Sequence, residues 1–530
     1  MVKTYPIDIK GIRSIGIKEW LNNYYVPVSS SEFNDISKSV TSIYMSALNK
    51  FDSNGIFYYL GIANYKLPNK ISQNLLNVLR LLRLREKGYI NIVGSKKESI
   101  NDTINQYEFN LHQKHTNPKT IIDKLTRKER LKNVARTIRY NLKVESISKY
   151  FLKNTNNPIF LIGDRNQMEV VGYCREKNIY PVHISPLLFG KNTYSKSDLI
   201  PYMSDIHDFC SIFVDLMKKQ FEVLTTSYCE SLKKEIEGLF VYSLIFFIQN
   251  IKFLPKLKNA TLLATGLGID IHRLFCMAWR HSGGKVIGFT HGNSFYRNCF
   301  IGNDMLLSLV DQFVTTSEEG AKSIKESSKD STVNIERGEA IYIKQNQYHT
   351  LFEELQRLPQ VKKIKKVMLI GFPMVNFYYK DLPAGYAYAH LLLEIQLLWL
   401  LKSAGYQTIY KPHPHTANDT SSLFNEYADE ITNQPFEDVY HIADCLLFGE
   451  FTTTTFGFAM LTNKPMVLVN IDEHIISTEA FVHLKKRCCV VKAKEMEGVI
   501  SFNDKELMNA VALSLSNINY EIVYKYAFNS

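Results

Sequence analysis

Two histidines in this chain stand where an imidazole can meet an anion. His413 lies between two prolines and follows a lysine, in Lys411-Pro412-His413-Pro414, and His291 lies in Thr290-His291-Gly292. Each comes where an apolar run of strand length stops, residues 406–410 for His413 and Lys285–Phe289 for His291. Proline fixes φ and removes a backbone donor, so the His413 loop is stiff. Such a loop at a strand end can hold the imidazole and the Lys411 ammonium toward a phosphate, neutralising charge that grows on a leaving group. The alternative is a rigid turn with a capping histidine. His291 is followed by Gly292 and Asn293. Glycine permits close backbone approach to a ligand, and His291 can then hydrogen-bond it or act as acid or base. The alternative is an interior histidine whose bonds are satisfied.

Thr452, Thr453, Thr454 and Thr455 precede a helix signalled by Phe456, Ala459 and Met460. Free N–H groups at a helix start, with threonine hydroxyls beside them, make a phosphate cradle; ordinary N-capping is the alternative. Glu450 opens the same loop, either to accept bonds from a ribose or base or to cap the helix. Asp164 and Asp270 each follow a predicted strand. A carboxylate there can take a proton or attack an electrophilic carbon, or it can cap the next helix. No G-x-x-x-x-G-K-[ST] occurs, which argues against an ordinary P-loop NTPase. No D-x-D metal motif stands at a strand end, and Gly266-Leu267-Gly268 is only a fragment of a dinucleotide fingerprint.

These residues need strand ends to hold them, and the sequence supplies them from Pro158 onward. Residues 159–162 read as a buried parallel strand, 163–166 as a turn, 168–177 as a helix and 179–184 as the next strand. A helical insertion spans about 204–251, after which strands follow at 260–264, 285–289 and 312–315. The basic stretch Val361-Lys-Lys-Ile-Lys-Lys366 precedes a fresh strand at 367–370, a helix at 386–404, and strands at 406–410, 445–448 and 466–470. Strands alternating with helices imply doubly wound parallel sheets. We therefore expect an α/β chain with a largely helical N-terminal region at 1–150, α/β domains at 151–345 and 366–500, and a helical end at 501–530.

The chain has 530 residues, enough for several domains, and 45% of them are hydrophobic, ordinary for a folded protein. A net charge of +11 favours anionic partners without choosing among them. The stretch Lys119 to Lys143 carries nine basic residues against Asp123 and Glu129, either a solvated helix face or a patch for an acidic acceptor or an anionic membrane surface. Eight scattered cysteines form no C-x-x-C pair, so the spacing gives no zinc signal. With no apolar leader at the N-terminus, a reduced cytosolic setting is expected, with peripheral contact at the inner membrane as an option. The longest apolar run, residues 239–248, falls short of the roughly 20 residues a bilayer requires.

Thr-His-Gly in one half, with Lys-Pro-His-Pro and a threonine-rich loop in the other, resembles bacterial GT-B transferases that use cytidine-nucleotide donors. These include Kdo transferases of capsule and lipopolysaccharide, bacterial sialyltransferases and CDP-glycerol glycerophosphotransferases. The resemblance spans roughly residues 158 to 475. It implies two Rossmann-like domains with parallel sheets facing a cleft. It further implies transfer of a 2-keto acid sugar from CMP to a glycan hydroxyl. His413 matches the family's phosphate-binding histidine, Thr452 to Thr455 match its Ser/Thr loop, and His291 matches its His-Gly histidine, with Gly292 and Asn293 near the donor sugar. Lys411 and Glu450 join the nucleotide side, and Asp270, Asp164 or His291 the catalytic side. The implied scheme needs no metal and no cofactor beyond the CMP-sugar, has a glycan or glycolipid as acceptor, and involves no nucleic acid. A CDP-polyol phosphotransferase shares both histidine motifs, but there His-Gly is usually followed by Thr-Pro, where this chain has Asn293-Ser294. A non-catalytic GT-B-like binding protein is the reading from another class.

Overall fold

A computed structural model describes residues 3–6, 9–93, 97–99, 157–186, 195–253, 259–289, 303–327, 337–344, 348–372, 384–414, 417–451, 453–471 and 478–528. The readings at His291, Gly292, Asn293 and Thr452, and that of the basic stretch Lys119 to Lys143, lie outside the described residues. The chain divides into two compact units. One gathers Thr41–Leu67, Glu108–Tyr348 and Lys525–Ser530, and is called the first unit here. The second unit gathers Met1–Val40, Pro68–Tyr107 and His349–Tyr524.

The N-terminal residues are not purely helical. Three short strands, β1 (Thr4–Pro6), β2 (Asn91–Val93) and β3 (Lys97–Ser99), form a small sheet in which β1 pairs parallel and β3 antiparallel with β2. The helices Ser30–Leu48 and Leu67–Glu86 stand between β1 and β2 in the chain. Three-residue strands are too short to show an alternation, so hydrophobic period carries no sign of them.

The first unit holds a six-stranded parallel sheet built from β4 (Ile159–Ile162), β5 (Val182–His183), β6 (Thr261–Ala264), β7 (Lys285–Phe289), β8 (Gln312–Thr315) and β9 (Glu339–Tyr342). The order is β5-β4-β6-β7-β8-β9. Leu161, Leu263, Ile287, Phe289 and Val314 pack on Val170 and Tyr173 of the helix Met168–Lys177. The expected insertion is a pair of helices, Ile200–Gln220 and Thr226–Phe253. Phe209, Phe213 and Phe240 from that pair meet Tyr44 and Phe57, with the Phe57 and Phe240 rings stacked at 5.3 Å. The apolar run 239–248 is thus a buried helix segment, and no described helix is long and apolar enough to cross a membrane.

The second unit holds a seven-stranded sheet of β10 (Lys366–Ile370), β11 (Gln407–Lys411), β12 (Glu430–Ile431), β13 (Cys445–Phe448), β14 (Met466–Asn470), β15 (Cys489–Met496) and β16 (Val499–Phe502). Its order is β12-β11-β10-β13-β14-β15-β16, parallel throughout except for the β15–β16 hairpin. The helix Ala384–Ser403 is apolar nearly all round, so most of it must be covered, although Trp399 is exposed. The sheet covers one side through Val367, Leu369, Leu447 and Val469. The N-terminal residues Tyr5, Ile9, Ile12 and Trp20 join the same core. Tyr388 locks this contact, donating its hydroxyl proton to the Pro6 carbonyl at 2.7 Å while Arg80 donates to the Tyr388 oxygen at 3.2 Å.

Candidate functional site

In the second unit the chain runs outward from β10 to β12, then returns to β13 on the other side of β10. Loops leaving β10 and β13 diverge at that reversal, and ligands of open α/β sheets bind at this carboxyl edge. Phe372, the His413 loop and Glu450 follow β10, β11 and β13 at the edge. Gly371 is required here by close approach, since a Cβ on it would lie 2.6 Å from the Tyr410 hydroxyl oxygen. That hydroxyl donates to Glu394 Oε2 at 2.8 Å, and the Phe372 N–H donates to Glu394 Oε1 at 2.5 Å. One carboxyl group thereby ties together the ends of β10 and β11.

Glu394 is buried, and burial pushes its carboxyl from 4.5 up to about 8. His390, also buried, stacks on Phe372 at 4.0 Å, and burial pulls its imidazole down to about 3. Both side chains are therefore neutral at pH 7. The folded chain keeps the Glu394 proton to about pH 8, whereas an unfolded glutamate releases it near 4.5, so folding binds more protons across this window and stability falls as pH rises through it. The neutral variant Glu394→Gln should flatten that slope. Melting temperatures taken at about pH 5 and about pH 8 check it, and a variant that loses as much stability as the parent between them would contradict a neutral carboxyl.

Lys411 does not reach outward. Its side chain is buried, its ammonium donates to the Pro412 carbonyl at 3.0 Å, and desolvation lowers its pKa against the opposing charge of Glu437. The cation braces the loop from within, and His413 is the half-buried group that the loop carries. Thr453 is the N-cap of the helix Thr454–Leu461, its hydroxyl accepting from the Phe456 N–H at 3.2 Å. Thr454, exposed, and Thr455 begin the helix. Phe456 packs edge-on against Phe448 at 4.9 Å, which seats the helix start at the end of β13. One residue that sequence reasoning passed over is Asn470. It closes the apolar strand β14, buried, with neither side-chain polar atom hydrogen-bonded among the described residues.

In the first unit the reversal lies between β4 and β6, and the loops after these strands interlock. Gly163 has φ +90°, and a Cβ on it would lie 2.1 Å from Thr265 Oγ1, so only glycine fits. The Asp164 N–H donates to Thr265 Oγ1 at 2.6 Å, and Asp164 Oδ1 accepts from the Asn166 N–H at 2.9 Å, closing an Asx turn at an exposed position. Asp270 begins the helix Asp270–His281, but the N-cap is Ile269 and Asp270 does not cap it. Its carboxylate instead accepts from the Arg273 guanidinium. Arg273 is buried, also donates to the carbonyls of Ala63, Leu267 and Gly268 at 2.7, 3.1 and 2.9 Å, and lies 4.9 Å from the Tyr65 ring centre.

Two further histidines reach this edge and were missed from sequence. His183, ending β5, donates from Nε2 to the Gly163 carbonyl at 2.9 Å. His272, in the first turn of Asp270–His281, donates from Nδ1 to the Thr265 carbonyl at 3.1 Å. In the same loops Gln167 Nε2 is buried with no partner among the described residues. The only advance sign of His272 was its place two residues after Asp270.

Among the described residues, no group of three His, Cys, Asp or Glu side chains is placed to hold a metal ion. No protein-family model matches this chain, and a search of curated proteins found no match to it.

Proposed function

We propose that the protein is a GT-B-type glycosyltransferase that moves a 2-keto acid sugar from its CMP donor to a hydroxyl of a bacterial surface glycan. Kdo and the nonulosonic acids (pseudaminic, legionaminic, sialic) are the donor class. The observation that carries this reading is the second unit's reversal edge, where the His413 loop follows β11, and Glu450 and the Thr453-capped helix start follow β13, the two strands that flank β10. A helix N-terminus stabilises a phosphate through its free N–H groups and its dipole. In this scheme the CMP phosphate meets Thr453, Thr454 and Thr455, with Thr452 beside them, His413 donates to the departing phosphate oxygen, and Glu450 accepts from the ribose. His291, Gly292 and Asn293 serve the donor sugar, and the first unit takes the glycan or glycolipid. A donor bearing both carboxylate and phosphate suits a chain of net charge +11. The basic stretch Lys119 to Lys143 suits an acidic acceptor or an anionic membrane surface.

Thermal shift with CMP, CDP, UMP, UDP and GDP tests the donor. A ligand at a hundred times its Kd stabilises the native state by about 2.7 kcal/mol. Cytidine nucleotides should raise Tm more than the others, and incubation with a CMP-sugar should release free sugar slowly to water. Equal or larger shifts with UDP or GDP would sink the CMP reading. Preference for CDP without CMP-sugar hydrolysis would favour polyol-phosphate transfer, and binding with no turnover of either donor a binding protein.

A further inference from the structure

Transfer to a hydroxyl needs a group that removes the acceptor's proton, and the described residues at the first unit's reversal edge include two carboxylates and two histidines, beside the cations Lys66 and Arg273. Asp164 is folded back on its own turn through the Asn166 N–H. Asp270 is engaged by the buried guanidinium of Arg273. His183 uses Nε2 on the Gly163 carbonyl, and its Nδ1 is buried beyond the reach of an acceptor hydroxyl. His272 differs from all three. Its Nδ1–H is anchored on the Thr265 carbonyl, which fixes the ring and the tautomer and leaves the lone pair on Nε2. The ring is half-buried in the first turn of a helix at the carboxyl end of β6.

We infer that His272 is the general base of this protein, taking the acceptor hydroxyl proton on Nε2. The inference rests on the transferase reading above. As the proton moves to Nε2, the acceptor oxygen forms its bond to the anomeric carbon. The bond from that carbon to the CMP phosphate oxygen breaks, its electron pair leaves with CMP, and the proton on His272 is afterwards released to water. The anchor on Thr265 connects the base to the sheet reversal, because Thr265 Oγ1 is also the acceptor for the Asp164 N–H. Desolvation keeps the imidazole below its usual range, opposed by the backbone hydrogen bonds to Thr265 and Gly266 and assisted by His183 on β5 and by Arg273 on its own helix. A base must be neutral to act, so a lowered pKa keeps it competent at neutral pH.

The test is His272→Asn in the full chain. Asparagine can still donate to the Thr265 carbonyl but has no counterpart of Nε2. Transfer from a CMP-sugar should fall on the order of 10²-fold or more, with CMP affinity and Tm close to the parent. The parent's kcat/KM should lose activity at acid pH along a limb with an apparent pKa below about 6.5, and the variant should lack that limb. His272→Gln serves as the second variant should His272→Asn not fold. A folded variant that transfers at near-parental rate, or a parent with no acid limb, overturns the inference and leaves the transferase reading standing. A parent that neither binds cytidine nucleotides nor transfers from a CMP-sugar overturns both.

Discussion

His413→Ala should lower turnover by ~10²–10³-fold, the loss that follows removal of one charge-stabilising donor at a transition state, about 3–4 kcal/mol. The loop geometry is why a single residue should matter so much. Pro412 and Pro414 hold the backbone, and Lys411 is turned inward onto the Pro412 carbonyl, so in this scheme the half-buried His413 imidazole, not the lysine, meets the phosphate. The fold should persist. The Gly371 N–H bonds the Lys411 carbonyl at 2.8 Å, β10 and β11 pair through five residues each, and neither contact uses the His413 side chain. Initial rates with a CMP-sugar, read beside Tm, check the expectation. A folded His413→Ala protein with near-normal turnover would remove His413 from the mechanism. His413→Asn, which keeps one neutral donor, should fall between the two.

Arg487→Met should cost ~1–3 kcal/mol or more of stability, the range for buried acceptors left without their donor. Arg487 is fully buried, and the groups it meets are carbonyls. Nε donates to Met460 at 3.1 Å, and the two terminal nitrogens donate to Ala459, Thr462 and Lys464 at 3.1, 2.7 and 3.2 Å. They lie at and just beyond the end of the helix Thr454–Leu461, where the dipole is negative; Ala459 also accepts from Thr462, and Thr462 from Tyr520. Tyr520 covers the guanidinium face at 5.3 Å. Methionine fills much of the volume but takes the guanidinium donors away from the Met460 and Lys464 carbonyls. Arg487→Lys should recover only part of the loss, because an ammonium is a point charge with three donors and no planar fork. Denaturant titration should show a lower midpoint at unchanged slope. A loss below about 1 kcal/mol would mean that water or a shifted backbone satisfies the carbonyls. The start of the same helix is the proposed phosphate cradle, so nucleotide affinity should weaken as well.

Apolar runs at 159–162, 285–289, 312–315, 445–448 and 466–470 could be read as strands from sequence alone, because a strand buried on both faces of a parallel sheet is apolar at every position. Their loops could be read too, and so Asp164, Asp270, His413 and the threonine run came into view. Of the short and edge strands, β5 falls within the strand expected at 179–184, but others could not be read. β1, β3, β12 and β9 span two to four residues, too few to establish a period, and β16 depends on its hairpin with β15. Nor could sequence assign the N-terminal helices to a partner, because an apolar face says that it will be covered and not by what. The Pro6–Tyr388–Arg80 contact joins residues hundreds of positions apart.

The chain's own letters determined which side chains stand at strand ends and what chemistry those types can do. Tertiary structure decided which of them are engaged. Arg273 occupies Asp270, and Pro412 receives the Lys411 ammonium. His272 is oriented by the Thr265 carbonyl, whose neighbouring hydroxyl reaches β4 because β4 lies beside β6. The reason is that a hydrogen bond is short and directional. Which nitrogen of a histidine is left over depends on ångström-scale placement by strand order, and strand order is set by packing between segments about a hundred residues apart.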